Sequence, residues 1–152
     1  MTVSKSPAEV AERLQRRRAA VMWLQALLFL IWQANFFSTP HADFSQLRNV
    51  DQVKISAFVV WAAALLVLIA TGGGWLRSKE VRALLNDETT QVNRRFALMV
   101  GYWAAMISAF ALYVTSLFTE VRLVEAIHIV LSAGVIAPLM TFAQLERRAL
   151  RA

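Results

Sequence analysis

The chain has 152 residues, of which 58% are hydrophobic and only 17% are charged, and its net charge is +6 at pH 7. Ordinary soluble domains have about 25% charged residues, so a soluble fold of this length would lack the polar surface needed to cover its apolar side chains. Cysteine is absent, which excludes disulfides, thiol redox chemistry and covalent haem attachment through a Cys-x-x-Cys-His motif. The composition therefore favours an integral membrane protein.

The first predicted element is a cytoplasmic helical extension at residues 1–18, with Ser6 as its N-cap and Pro7 as its first helical residue. Four stretches without Asp, Glu, Lys or Arg follow, at residues 19–40, 55–76, 96–119 and 126–145. Each reaches the roughly 20 residues that a helix needs to cross a bilayer, and a single spanning segment satisfies its backbone only as a helix. The sequence therefore predicts an all-α polytopic membrane protein, an antiparallel bundle of four transmembrane helices. The spans are expected at about 19–39, 54–74, 95–118 and 122–144.

Lysine and arginine are distributed unevenly between the connections. Thirteen lie before the first span, in the second connection or after the last span, and three lie in the other two connections. Because cytoplasmic segments are enriched in these residues, both termini and the second connection are expected on the cytoplasmic side of a bacterial inner membrane. Residues 75–94 form an amphipathic cytoplasmic connection in this scheme, and residues 146–152 form a cytoplasmic tail. The expected partner of this basic face is the anionic lipid headgroups of the inner leaflet, not nucleic acid.

Polar residues in the last span suggest a cluster towards its outer end. Glu125 and His128 are three residues apart and so share a helix face, with Ser132 one turn deeper. The other helices bring further polar groups to a similar depth: Gln33, Asn35 and Tyr113. Ionisable residues inside a membrane usually face the bundle interior or a water-filled pathway. The alternative is structural, with Glu125 paired to Arg122 and His128 bonded to the first or third helix.

The sequence predicts no metal, no cofactor and no catalytic residue. A Glu-x-x-His pair needs further carboxylates or histidines from other helices to hold a metal, and the spans supply none. His41 and Asp43 in the first outer connection leave a zinc or manganese site open as an alternative. The protease motifs H-E-x-x-H and G-x-S-x-G are absent.

The segment LLNDETTQVNRRFALMVGYW, residues 84–103, resembles a segment of uncharacterised four-helix inner-membrane proteins of bacteria. In those proteins an Asp-Glu pair and an Asn-Arg pair lead into the third helix. The resemblance covers this segment and the overall hydropathy, and it implies a protein with no assigned enzymatic activity. Some similar proteins are encoded beside small DNA-binding regulators, which implies a sensing or sequestering role.

The leading functional prediction is a non-enzymatic membrane protein that acts through protein contacts, as an accessory subunit of an inner-membrane assembly or as a membrane-bound regulator. The residues expected to contact a cytoplasmic or membrane partner are Arg82, Asp87, Glu88, Arg94 and Arg95. The competing prediction is a small homo-oligomeric transporter or channel with Glu125 and His128 on its pathway. A membrane enzyme that uses the Glu125 and His128 pair is the third alternative.

Overall fold

The computed structural model describes residues 7–38, 49–71 and 88–149. They form four α-helices: α1 (Pro7–Ser38), α2 (Asn49–Thr71), α3 (Glu88–Ser116) and α4 (Leu123–Ala149). All four are long and apolar enough to cross a membrane, which confirms the predicted number of such helices. Within the described ranges, only the connection between α3 and α4 is not helical.

The helices extend beyond the predicted spans at four places, one of which is the start of α2 at Asn49. α1 is a continuous helix from Pro7, so the described part of the extension and the first span form one element. α3 begins at Glu88, inside the segment that the sequence predicts as a connection. α4 continues to Ala149, so Glu146, which the sequence predicts in a tail, is a buried helical residue. Residues 1–6, 39, 72–87 and 150–152 of the predicted segments, including the predicted N-cap Ser6, lie outside the described ranges.

α4 occupies the centre of the fold because it packs against each of the other three helices, most extensively against α3 and α1. Its buried face repeats at helical spacing along the second half of the helix. The residues on this face are Val135, Leu139, Phe142, Ala143 and Glu146. A single apolar core results, to which α1 contributes Met22 and Phe29 and α2 contributes Phe58 and Leu65.

α1 and α2 contact each other through large aromatic side chains. The Phe29 ring lies 5.6 Å from the Phe58 ring and 5.3 Å from the Trp61 ring. Trp61 also donates its indole N–H to Gln25 Oε1 at 3.3 Å, which satisfies a polar group that would otherwise face apolar surroundings. Aromatic rings therefore fill the space between these two helices.

α3 and α4 approach each other much more closely, at Gly101. A Cβ atom placed on Gly101 would lie 2.7 Å from Pro138 Cγ and 3.1 Å from the Gly134 carbonyl oxygen. That carbonyl has no intrahelical N–H partner four residues on, because proline lacks the donor. Small residues at such a crossing let two backbones meet, which is how transmembrane helices pack tightly. Gly101 thus permits the contact between the proline ring of α4 and the backbone of α3.

We expect Gly101→Ala to destabilise the fold, because the added Cβ would overlap the rigid Pro138 ring. Overpacking of this kind costs about 1–3 kcal/mol. Gly134→Ala is the matched control, since its Cβ would lie 3.4 Å from Ala105 Cβ, an ordinary van der Waals distance. Unfolding of the purified protein in mixed micelles of increasing SDS fraction measures both variants. Equal stability of the two variants would contradict the close crossing.

Candidate functional site

Three of the predicted polar residues meet at the end of α1 and the start of α4. His128 Nε2 donates a hydrogen bond to Gln33 Oε1, and Ser132 Oγ donates to the His128 carbonyl oxygen at 2.6 Å. All three side chains are buried. We call Gln33, His128 and Ser132 the His128 cluster.

Phenyl rings enclose the imidazole of His128. Phe36 of α1 stacks on one side with ring centres 3.9 Å apart, and Phe58 of α2 stacks at 3.9 Å as well. Phe37 contacts the imidazole edge-on at 5.8 Å. Aromatic contacts of this kind add to the apolar area that they bury. The imidazole therefore joins α1, α2 and α4 by packing as well as by its hydrogen bond.

The other residues predicted for this cluster lie elsewhere. Tyr113 has 64% of its surface exposed, and Asn35 lies on the exposed side of α1. Glu125 is partly exposed, and its Oε1 is 3.9 Å from Arg122 Nη1. Both contacts of the structural alternative are therefore present: Glu125 pairs with Arg122, and His128 bonds to α1.

A second buried polar cluster lies at the opposite end of α4, and the sequence prediction misses it. Arg18 of α1 forms an ion pair with Glu146 of α4. Arg18 also donates to Thr90 Oγ1 of α3 at 3.4 Å, and Thr90 Oγ1 donates to Glu146 Oε1 at 3.3 Å. The Arg18 guanidinium lies 5.3 Å from the centre of the Phe142 ring. We call Arg18, Thr90 and Glu146 the Glu146 cluster.

Burial makes the Glu146 cluster energetically demanding. The Glu146 side chain is 0% exposed and that of Arg18 is 9% exposed. Removing two charges from water costs several kcal/mol for each ion, and the mutual attraction repays this cost only when further hydrogen bonds satisfy the remaining polar atoms. Thr90 supplies such bonds from a third helix. The cluster therefore joins three helices near one end of the bundle. It connects the residue before the apolar part of α1, the first turn of α3 and the last turn of α4.

The spacing of Glu146 in the sequence indicates that it is buried, although a charged residue at a helix end is usually exposed. Glu146 follows Leu139, Phe142 and Ala143 at helical spacing, so it continues the buried face of α4. Arg18 is the last residue of an arginine run and resembles an ordinary membrane-boundary arginine. Their pairing depends on the packing of α1 against α4, which spacing within one helix does not reveal.

The residues predicted to bind a partner lie at the start of α3 or outside the described ranges. Glu88 and Arg95 are exposed, and Arg94 is partly exposed. Arg82 and Asp87 fall in the undescribed residues 72–87. The exposed Glu88, Val92 and Arg95 share one helix face, opposite to the buried Thr90.

Neither cluster has the composition of a metal centre. Within residues 7–38, 49–71 and 88–149, no group of three or more His, Cys, Asp or Glu side chains comes together. His41 and Asp43, the residues of the alternative zinc or manganese site, lie outside those ranges. Instead, Arg18, Thr90 and Glu146 bond to one another across three helices, and His128 bonds to Gln33 across two.

Comparison with protein-family models, with curated proteins and with solved structures finds no match to this chain.

We expect Glu146→Gln and Arg18→Gln each to lower the free energy of unfolding by about 3–5 kcal/mol, because either change leaves a buried charge without its counterion. The double variant should lower the free energy of unfolding by less than the sum of the two single variants. A double-mutant cycle in SDS-titrated unfolding measures this coupling.

The matched control is the exposed pair Glu12 and Arg16, whose atoms are 2.6 Å apart. Such surface pairs contribute at most about 1 kcal/mol. A coupling energy for Arg18 and Glu146 no larger than that of the exposed pair would refute the structural role of the Glu146 cluster.

Proposed function

We propose that this chain is a non-enzymatic integral protein of the bacterial inner membrane that acts through protein contacts, as an accessory subunit of a membrane assembly or as a membrane-bound regulator. The observation that carries the proposal is the contrast between the buried polar groups, which bond within the chain, and the exposed charged residues of α3. Arg18, Thr90 and Glu146 bond to one another across three of the chain's own helices and His128 bonds to Gln33 across two, whereas charged residues at the start of α3 are exposed.

Insertion as an antiparallel four-helix bundle is supported by the positions of the two clusters. His128 and Glu146 are separated along α4 by about 27 Å at 1.5 Å per residue. This separation is close to the roughly 30 Å thickness of the hydrocarbon layer, so one cluster would lie near each boundary. Arg18 of α1 and Thr90 at the start of α3 lie beside Glu146 at the end of α4. This is the arrangement expected if α4 runs antiparallel to α1 and α3. The lysine and arginine asymmetry favours a cytoplasmic location for the Glu146 end.

The proposed partner surface is the exposed face formed by Glu88, Val92 and Arg95. Thr90 anchors the first turn of α3 through Glu146, so this face is held in a fixed position relative to the bundle. Val92 is 59% exposed between an acidic and a basic residue. An apolar centre with charged neighbours is a common composition for a protein contact.

The transporter alternative has less support from the geometry. A transport pathway needs ionisable groups that face a water-filled space. His128 is instead enclosed by phenyl rings and bonded to Gln33, and Glu125 pairs with Arg122 at a helix end.

We expect a photo-crosslinking residue at Val92 to capture one protein partner in living cells, because Val92 is the apolar centre of the proposed surface. Glu88→Lys should remove that product by reversing a charge beside the contact. Glu120→Lys is the matched control, since Glu120 is also exposed and lies in the connection that follows the other end of α3. Immunoblotting and mass spectrometry of the crosslinked band give the readout. A band that persists with Glu88→Lys, or no band at all, would count against this surface.

The proposed orientation predicts which positions a membrane-impermeant maleimide reaches in intact cells with a permeable outer membrane. Because the chain has no cysteine, single cysteines report without background. Glu120→Cys should be labelled in intact cells, whereas Glu9→Cys and Arg148→Cys should be labelled only after lysis. The reverse pattern would overturn the orientation.

A further inference from the structure

Arg147 of α4 lies against Trp23 of α1 at the Glu146 end of the bundle. The guanidinium carbon of Arg147 is 5.5 Å from the centre of the Trp23 ring, which is a cation–π contact. Arg147 is exposed, whereas Trp23 is partly buried and packs against the apolar core. A cation at the surface is therefore held by a ring whose position the bundle fixes. We call Arg147 and Trp23 the Arg147 site.

The Arg147 side chain extends towards the apolar part of α1. Arg147 itself follows the apolar part of α4, whereas Trp23 lies inside the apolar part of α1, about 8 Å along the helix from Arg18. Arginines at a membrane boundary usually extend towards water instead. With the Glu146 cluster near the boundary of the hydrocarbon layer, as proposed above, the inward direction keeps this charge at the depth of the lipid headgroups.

Arg147 has no anionic partner within the described part of the chain. Arg16 and Arg18, by contrast, each form an ion pair with a glutamate. A guanidinium presents five N–H donors in a planar arrangement that matches the oxygens of a phosphate. The contact with the Trp23 ring does not satisfy these donors. A phosphate group at headgroup depth has the charge and the geometry to do so.

The surrounding charges favour an anionic lipid over a zwitterionic one. The described residues at the Glu146 end, in the ranges 7–18, 88–95 and 146–149, include eight arginines and four glutamates. Every phospholipid carries a phosphate, but the ammonium group of a zwitterionic headgroup would be repelled by this excess of positive charge. A phospholipid with a net negative charge meets no such repulsion.

We propose that Arg147 binds the headgroup phosphate of one anionic phospholipid, and that Trp23 is the positioning residue that holds the guanidinium beside it. The acyl chains contribute no specificity, since any lipid chain would cover the apolar surface of the bundle. The site differs from the diffuse attraction of basic residues to the inner leaflet, because it takes one lipid per chain and depends on one particular arginine.

The lipid site goes beyond the proposed partner surface. It rests on insertion of the bundle in a membrane, but neither Glu88 nor Arg95 is part of it. The crosslink at Val92 therefore tests the partner surface separately, and either proposal can fail without the other.

The test is lipid binding by the full-length chain, measured by native mass spectrometry in a mild detergent. Dioleoylphosphatidylglycerol is the anionic probe, and phosphatidylcholine with the same acyl chains is the zwitterionic control. One phosphatidylglycerol molecule should bind to each chain, and it should bind about fivefold more tightly than phosphatidylcholine.

Arg147→Gln should weaken the binding of phosphatidylglycerol about fivefold, to the level of phosphatidylcholine. Arg148→Gln is the matched control, since it removes the same charge from the next residue, which is also exposed. This control should change the binding only slightly. Because both arginines are exposed, unfolding in SDS should be nearly the same for the two variants and the native chain.

A second pair of variants tests the positioning role of Trp23. Trp23→Leu removes the ring and leaves the charge of Arg147 unchanged, so the binding of phosphatidylglycerol should weaken. Trp23→Phe keeps a ring for the guanidinium to lie against and should retain most of the binding. Equal binding by these two variants would contradict the role of the ring.

Three further outcomes would overturn the proposal. Equal affinity for phosphatidylglycerol and phosphatidylcholine would show that the headgroup charge is not recognised. Equal losses in Arg147→Gln and Arg148→Gln would indicate diffuse attraction to the basic end of the bundle. Displacement of the lipid by an equal concentration of soluble glycerol phosphate would assign the site to a free phosphate compound instead of a lipid.

Discussion

A buried charge in an apolar bundle has to find its counterion within the protein, and the ion pair between Arg18 and Glu146 meets that requirement across two helices. Thr90 brings a third helix into the same contact. This arrangement fixes the axial position of α1 and α3 relative to α4, because a shift of either helix by one turn would separate Glu146 from its partner on that helix. The register of three helices therefore depends on a group of three side chains.

The remaining contacts of α4 follow from that register. It sets Gly101 opposite Pro138, where the absence of a Cβ allows the proline ring to reach the α3 backbone. It also sets His128 level with Gln33, between the rings of Phe36 and Phe58. One helix thus carries an ion pair at one end, a close backbone crossing in the middle and an aromatic enclosure at the other end.

The sequence predicts the helices well and their contacts poorly, for a physical reason. Length and absence of charge define a spanning segment, so four long apolar helices could be recognised from composition alone. The residues of the His128 cluster are also predictable, because a polar residue in an apolar stretch is conspicuous. The enclosing phenyl rings are not predictable, since phenylalanine is expected on any face of such a helix. The prediction of Glu146 in a tail is wrong because its partner lies in another helix, whereas the neighbouring Arg147 and Arg148 are typical of a solvated helix end.

The central position of α4 has a consequence for biogenesis. α1, α2 and α3 are synthesised first, yet the surface against which they pack belongs to the fourth helix. Until α4 emerges from the ribosome, Arg18 lacks Glu146, and Gln33 lacks His128. Folding of this bundle is therefore completed only when its fourth helix arrives, and until then the polar side chains of the first three helices lack their partners.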